Sequence, residues 1–419
     1  MSDWDVVVIG AGAAGLMAAT RCAERGRRVL LLEKNRRAGV KILMSGGTRC
    51  NLTQATDRKG IVKAYGTQGS FLHSPLAVLG PQELVALIEA EGVPTKVEET
   101  GKIFPVSNKA QDILDALLRR LNRSGATLAL EEPVVSLARE GEEFRVTTAM
   151  RSISAGHLIL TTGGQSYPGS GTTGDGFAWA AAWGHRIVTP RPALVPLTTA
   201  AAWVPELRGI TLPDVRVRVV ERNPAAASAA PTKKSKRGED REFRGSFLFT
   251  HFGLSGPAVM NASRDVSAHA RPASLDLLCD FSPARTESEF HESLKQAEGR
   301  KTVAAIGPEE FPRRLWETFL RLADVSGETR IAELGRVPRE RLVQQVKRNA
   351  IPLSGTRGFA QAEVTAGGVS LDEVDSSTMQ SRIVPGLYLA GEVLDLDGPI
   401  GGYNFQAAFS TGCLAGDNA

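Results

Sequence analysis

The chain opens on a run of apolar positions, Val6 to Ile9, and a second run follows at Val29 to Leu32. Unbroken apolar runs of this length read as strands buried on both faces, as in a parallel sheet covered by helices. Small residues and glycines between them supply a turn and a helix. Residues 5–34 therefore predict strand, turn, helix, turn, strand. Two later segments, "PQELVALIEAEG" (81–92) and "AQDILDALLRRLNRSG" (110–125), repeat apolar residues at helical spacing. Pro81 suits a first helical turn and Gly92 a helix end. The stretch that follows alternates like paired hairpins and delivers "GHLILTTGG" (156–164).

The middle of the chain changes character. "ALVPLTT", "GITLPDVRVRVVE", "REFRGSFLFTHFG" and "ASLDLLCDF" are strand-like, and "VRVRVV" alternates cleanly. They predict a small antiparallel barrel or curved sheet. From Ser282 the pattern turns helical, through "ESEFHESLKQAE" and "PEEFPRRLWETFLRLADV" to "RERLVQQVKRNA". Near the end, the apolar strand "GLYLA" runs into a loop with a Gly-Gly pair and then a helix of small residues. No internal repeat is visible.

The first turn carries chemistry. Gly10, Gly12 and Gly15 give G-x-G-x-x-G directly after a strand. The first glycine allows the tight turn, the second lets the backbone approach a pyrophosphate, and the third lets helix and sheet lie close. Ala13 and Ala14 complete that phosphate-facing turn. The second strand ends at Glu33, placed to accept a ribose hydroxyl. A carboxylate there repels a 2′-phosphate, which leaves NAD and FAD. The segment "NRRAGVKILMSGGTRCN" (35–51) then sets Arg36, Arg37 and Lys41 before a second glycine pair. Cations beside the first helix can neutralise a pyrophosphate. The donors and small residues from Ser45 to Asn51 suit a flat ring system. "GHLILTTGG" is similar to the strand-then-"ATG" element of FAD proteins, and "GLYLAGE" to their late strand ending in Gly-Asp, with Glu392 for the acid. FAD is too long for one loop, so the first and last glycine turns are expected to grip its two ends from one domain.

Composition narrows the field. A net charge of +4, a pI near 8.9 and few aromatics do not demand a nucleic-acid partner, and none is expected. Cys22, Cys50, Cys279 and Cys413 lie far apart without a C-x-x-C, so neither a metal site nor a vicinal dithiol is predicted. The short acidic start is no signal sequence, and no apolar run approaches the roughly 18 residues of a span. A cytoplasmic protein is expected. The oligomeric state is not legible.

Five motifs in order resemble the BaiN-like (YhiN-type) family of bacterial FAD-dependent oxidoreductases: "KILMSGGTRCN" (41–51), "TTGGQSYPGSGTTGDG" (161–176), "FLFTHFGLSGPAVMNAS" (247–263), "AEVTAGGVSLDEVD" (362–375) and "LYLAGEVLDLDGPIGGYNFQAAFSTG" (387–412). The resemblance implies an α/β fold: a Rossmann-type FAD-binding domain (1–189 and 356–419), an inserted β-rich, barrel-like domain (190–281 and 347–355), and a small helical subdomain (282–346). It implies FAD contacts from Lys34, Lys41, Ser45, Gly46, Gly47, Arg49, Cys50, Asn51, Val134, Thr162, Gly163, Gly164, Thr365, Gly391, Glu392, Gly402, Tyr403, Asn404, Gln406 and Ala407. His251 and Tyr403 are the candidate catalytic residues, and Cys50 is expected to pack rather than to act as a redox thiol.

Two features depart from the family pattern. Thr48 stands where a third glycine is more usual, and the Ala-rich, basic loop 223–243 is expected to be mobile and solvated. The implied activity is reduction of an activated C=C bond, or a related acceptor, in a small molecule at the expense of NADH or NADPH. Two alternatives stay open: a flavin-dependent RNA-modifying or oxidase-type enzyme, and a non-catalytic flavin redox sensor or interaction protein.

Overall fold

The computed structural model describes residues 2–222, 241–297, 299–307 and 310–419. The loop expected at 223–243 thus falls outside the described residues except at its last three positions. The chain divides into two units, Met1–Pro192 with Ala362–Ala419, and Ala193–Gln361.

In the first unit a seven-stranded sheet has the spatial order Thr127–Ala129, Val29–Leu32, Trp4–Ile9, Ser152–Leu160, Glu143–Thr148, Val134–Glu140, with Leu387–Leu389 also paired to Ser152–Leu160. The pairs among Thr127–Ala129, Val29–Leu32, Trp4–Ile9, Ser152–Leu160 and Leu387–Leu389 are parallel. The two added strands are antiparallel. Val6, Val7 and Val8 and the whole of Val29–Leu32 are buried, as their unbroken apolar runs require. The first helix (Ala13–Glu24) packs between this sheet and the closing helix (Tyr403–Asn418). The two helices meet backbone to backbone. A Cβ at Gly412 would collide with Ala14 O, and one at Gly416 would lie 2.5 Å from Ala18 O. Small residues therefore weld the two ends of the chain into one core, and larger ones there would overpack it by about 1–3 kcal/mol.

Helices Pro81–Ala90 and Ala110–Ser124 form at the predicted places. The latter buries Ile113, Leu114, Leu117 and Leu121 and stops at Gly125, whose φ of 84° suits glycine. The run Gly66–Ala90 is long and apolar enough to span a membrane by length and composition. It is broken into separate helical pieces, Gly66–Leu72, His73–Val78 and Pro81–Ala90, that bury Phe71, Leu72, Leu76, Leu84 and Ile88 in the core.

The second unit is built on a closed six-stranded antiparallel barrel in the order Leu197–Thr199, Gly253–Ser255, Glu242–Phe249, Thr211–Glu221, Leu275–Asp280, Asn349–Thr356. Its alternating strands send Val215, Val217, Leu277 and Cys279 inward. Helices Glu287–Gln296, Arg313–Leu322 and Arg336–Lys347 share that core through Phe290, Trp316, Phe319 and Leu342.

Candidate functional site

The site is assembled at the carboxyl ends of the parallel strands of the first unit. Gly10 takes φ +101°, a conformation that favours glycine, as the chain leaves the first strand. A Cβ at Gly15 would collide with Gly10 O and lie 2.6 Å from Thr161 Oγ1, so helix and turn touch directly. A Cβ at Gly12 would meet nothing within 4 Å. Space therefore stands open in front of the second glycine. The first helix has no side-chain cap and no acid in its first turn, and Ala13 and Ala14 are buried there. Its leading N–H groups suit an anion. Glu33 is buried at the end of the second strand, where its two oxygens accept from Ala11 N (2.8 Å) and Asn35 N (2.9 Å). Each oxygen keeps a second lone pair.

Lys34 donates to Asp175 Oδ2 and Thr173 Oγ1, both at 2.6 Å. Val134 opens the strand that follows Glu132, whose N–H bonds Glu33 O. Arg36 and Arg37 are exposed and pair with Glu131 and Gln111.

Lys41 lies on a short helix, Val40–Thr48, that breaks at Ser45, Gly46 and Gly47. After the break Gly46, Gly47, Thr48 and Cys50 all have φ between 56° and 68°. Sequence spacing gave no sign of the helical turn before the glycine pair, because five residues are too few for a periodicity to show. Ser45 Oγ donates to Ile42 O (2.8 Å). Arg49 pairs with Glu98 (2.7 Å) and lies over the Phe104 ring at 4.0 Å. Cys50 is fully buried, and burial pushes its thiol up to about 12, so it is a packing group and no thiolate. With its amide oriented to satisfy both ends, Asn51 accepts from Gly402 N (2.9 Å) and donates to Thr53 O (3.1 Å).

Four chain segments meet at one junction. Lys41 Nζ lies 2.6 Å from both Glu392 Oε2 and Ser166 Oγ. Ser166 Oγ donates to Glu392 Oε1 (2.7 Å), which also accepts from Thr365 N (2.9 Å). Thr365 Oγ1 in turn accepts from Gln165 N (2.8 Å) and Ser166 N (3.0 Å). Ser166 and Glu363, which adjoin this junction, were not singled out in the sequence. Each lies inside a motif, but neither has a spacing that marks it.

Above Glu392, Gly391 N bonds Thr411 Oγ1 (3.0 Å). The loop before the closing helix is pinned by Asn404, whose amide bonds Gly398 N and O and Pro399 O. Gly402 starts that helix without a side-chain cap, and no acid sits in its first turn. Gln406 is fully buried, with Thr53, Leu79 and Ser410 taking up its amide. It holds the helix from within instead of reaching a ring edge, a correction to its expected role. Ala407 is buried beside it. Tyr403 is half-buried, its backbone O accepts from Tyr65 (3.0 Å), and burial raises its phenol. Gly163 takes φ +72°, and a Cβ at Gly164 would collide with Thr365 Oγ1. Thr162 Oγ1 is buried and has no hydrogen-bond partner among the described residues. His251 belongs to the other unit, on an exposed turn with its ring edge against Phe252.

These features fit FAD. Open space faces Gly12, two uncapped helix starts offer N–H groups, Glu33 suits a ribose, and the buried Thr162 hydroxyl has no hydrogen-bond partner among the described residues.

Comparison with known proteins agrees. The model of the HI0933-like protein Rossmann domain matches residues 4–418. The ribosomal RNA dihydrouridine synthase of Escherichia coli (strain K12) is 32% identical, covering 98% of this chain and 96% of its own. That of Haemophilus influenzae is also 32% identical, over 97% and 96%. The 3-dehydro-bile acid delta(4,6)-reductase of Clostridium scindens is 30% identical, over 98% and 97%. Among solved structures, a 3-ketosteroid delta1-dehydrogenase from Sterolibacterium denitrificans shares the fold at a TM-score of 0.52 and 15% identity, covering 99% of this chain and 98% of its own. The chain thus belongs to the HI0933-like family and is a flavoprotein oxidoreductase with a Rossmann FAD-binding fold.

Proposed function

We propose that this chain reduces a carbon–carbon double bond conjugated to a carbonyl, using bound FAD and electrons from NADH or NADPH. The observation that carries the reading is a chemical overlap between near-full-length relatives. Making a dihydrouridine saturates the carbon–carbon double bond of a uracil ring, which is conjugated to a ring carbonyl. A delta(4,6)-reductase acting on a 3-dehydro bile acid works on double bonds conjugated to the 3-carbonyl. Both need a hydride equivalent at one carbon and a proton at its neighbour, which a flavin site supplies when loaded.

This chain's own residues divide that work. The Gly10–Gly15 turn and Glu33 hold the adenine-side half of the cofactor. Loop 45–51 and the start of the closing helix hold the ring. Tyr403 offers its phenol to the acceptor carbonyl. His251, on the other unit, is given no part. Four buried, unpaired cysteines suit a reducing, cytoplasmic setting.

A second reading takes uridine in ribosomal RNA as the acceptor. The two relatives named for that activity favour it, although the mild overall charge pointed away from nucleic acid.

Anaerobic stopped-flow reduction with NADH and with NADPH tests the donor. Reoxidation is then followed with conjugated enones, a uridine-bearing ribosomal RNA transcript, quinones and oxygen. Product saturation by an enone or by the transcript is expected. Reoxidation by quinones and oxygen alone would sink the reading.

A further inference from the structure

Three side chains from separate segments of the first unit meet in a buried line. His185 follows the helix Asp175–Ala182, Glu373 ends the short helical turn Leu371–Glu373, and Ser381 begins the turn before the strand Leu387–Leu389. His185 Nε2 lies 2.9 Å from Ser381 Oγ, and Nδ1 lies 3.2 Å from Glu373 Oε2. The imidazole is 0% exposed. Glu373 Oε2 also accepts from Arg186 N (2.8 Å). Glu373 is the charged group that faces the ring. The neighbouring cations turn elsewhere: the Arg186 guanidinium meets Ser370 Oγ and Asp372, and that of Arg382 lies 3.8 Å from Asp375.

These hydrogen bonds fix where the protons sit. Ser381 Oγ accepts from Ile383 N (3.0 Å) and Val384 N (2.8 Å). A hydroxyl has two lone pairs and one hydrogen. Both lone pairs are spent on the backbone, so the O–H is left to donate to His185 Nε2. Nε2 is therefore the bare nitrogen. Nδ1 carries the ring hydrogen and donates it to Glu373. A second proton would have to sit on Nε2, facing an oxygen with no lone pair left to receive it. Ser381 can accept it only by giving up the N–H of Ile383 or Val384.

The turn so held reaches the site. Ser381 N donates to Leu387 O (2.7 Å), Leu387 N to Val384 O (3.2 Å), and Leu389 N to Met379 O (3.0 Å). Leu387–Leu389 is the parallel strand that delivers Gly391 and Glu392 to the junction with Lys41.

We propose that His185 is an acid-sensitive latch on this turn. Neutral, it fastens Ser381 and through it the entry to Leu387–Leu389. Protonated, it frees one of the two backbone N–H groups, loosens that entry and weakens the hold of the Glu392 junction on FAD. The latch goes beyond the function proposed above and does not depend on which acceptor is reduced. Burial and the occupied Ser381 oxygen oppose the charged ring, whereas Glu373 favours it. Burial is the larger influence on the pKa and keeps it below the ordinary 6.5. The latch is thus closed above 6.5 and opens as pH falls through the lower folded value.

The test uses the full chain loaded with FAD. Nitrogen NMR of isotope-labelled histidine reads the tautomer, and His185 is expected to carry its hydrogen on Nδ1 at about pH 8. Hydrogen exchange, expressed as protection factors, then follows residues 381–389 from about pH 8 to about pH 5. Protection should fall about 5-fold or more as the ring protonates, the worth of one hydrogen bond. FAD affinity, measured by fluorescence titration, should fall over the same range. Ser381→Ala should show the low protection at every pH. His185→Gln, whose amide oxygen can still accept from Ser381, should keep protection and FAD affinity under acid.

A hydrogen on Nε2 at the alkaline end would overturn the proposal, because Ser381 would then be accepting from the ring. A ring that stays neutral throughout the range would also overturn it, as would unchanged protection once NMR shows the ring protonated. An acid loss of protection that persists in His185→Gln would assign the effect to another group. Constant FAD affinity while protection falls would break the link to the cofactor. The NMR result and Ser381→Ala decide the matter even if His185→Gln does not fold.

Discussion

Lys41 and Glu392 are 351 residues apart in sequence and 2.6 Å apart in space. The pair joins the loop after the first parallel strands to the turn after the last one. Both side chains are largely enclosed, at 29% and 17% exposure. Removing the lysine would strand a carboxylate that still accepts from Ser166 and Thr365. Lys41→Met is therefore expected to cost about 1–3 kcal/mol of stability and to weaken FAD binding. Urea denaturation of FAD-free protein and a fluorescence titration with FAD measure the two effects. Unchanged values in both would show that the junction is not structural.

The first turn distinguishes two glycines that spacing alone treats alike. Gly12 faces open space, whereas Gly15 is pressed on Gly10 O. Gly12→Ala should fold with near-native stability and lose FAD affinity, because its methyl group projects into the open space where the pyrophosphate would approach. Gly15→Ala should destabilise the FAD-free protein itself by about 1–3 kcal/mol through overpacking. Thermal melts of both apo proteins, with FAD titrations beside them, separate the two. Equal melts would contradict the geometry.

The sheet and first turn were legible because their signals are local. Val6–Ile9 and Val29–Leu32 show their burial in composition, and Gly10, Gly12 and Gly15 show their turn in spacing. The barrel was legible in part, through the alternation of Val215, Val217 and Val219 on Thr211–Glu221. Less visible were features set by distant partners. Nothing local marks Ser166 as the link between Lys41 and Glu392, since its three neighbours come from three segments. Gln406 looked like a ring contact because it follows a glycine pair in a family motif. Its burial depends on Thr53 and Leu79, hundreds of residues away. The expectation that no run approaches a span's length does not hold for Gly66–Ala90, whose mean hydropathy is high although polar residues such as Gln68 and His73 interrupt its apolar positions.

Thr48 is a β-branched residue at φ +68°, the position where the related motif more often has glycine. Such a residue in the left-handed region carries strain of order 1–3 kcal/mol. Its side chain is exposed, and its hydroxyl bonds only Gly47 O. Thr48→Gly relieves the strain and adds about 0.4–1 kcal/mol of unfolded-state entropy. A net gain of up to about 2 kcal/mol is expected from the difference. Chemical denaturation reads it directly, and a clear loss of stability would show that the threonine makes a compensating contact.

His185 gives the first unit a pH dependence. Its ring is buried, with Nε2 2.9 Å from Ser381 Oγ and Nδ1 3.2 Å from Glu373 Oε2. Burial lowers its pKa from the ordinary 6.5, with Glu373 opposing. The unfolded chain then binds a proton near 6.5 that the folded chain resists. Stability is full above 6.5, declines as pH falls toward the folded value, and levels off below it. His157, also lowered by burial with Arg27 adding to it and Asp5 opposing, acts in the same direction. Unfolding free energy measured against pH should slope in this window, and His185→Gln should flatten part of the slope. An identical profile in the variant would assign the dependence elsewhere.

Lys347 shows what holds the second unit's helices to its barrel. The ammonium is buried at the end of Arg336–Lys347 and meets Asp280 Oδ1 at 2.7 Å and Ser282 O at 2.6 Å, with Arg285 O as a third acceptor. Asp280 ends a barrel strand, so one side chain ties strand, turn and helix together. Lys347→Met keeps most of the apolar stem but leaves a partly buried carboxylate and two carbonyls without their donor. Breaking one side of such a pair costs about 3–5 kcal/mol. Adding Asp280→Asn to Lys347→Met removes the stranded charge while the new amide oxygen can still accept from Ser282 N, as Asp280 Oδ1 does at 3.0 Å. The double variant should therefore be more stable than Lys347→Met alone, though weaker than wild type. Denaturation of the three proteins, followed by the fluorescence of the buried Trp316, measures the order. If the double variant is no more stable than the single one, the loss comes from the carbonyls or the packing of the stem, and the charge pair is not what fastens the helix.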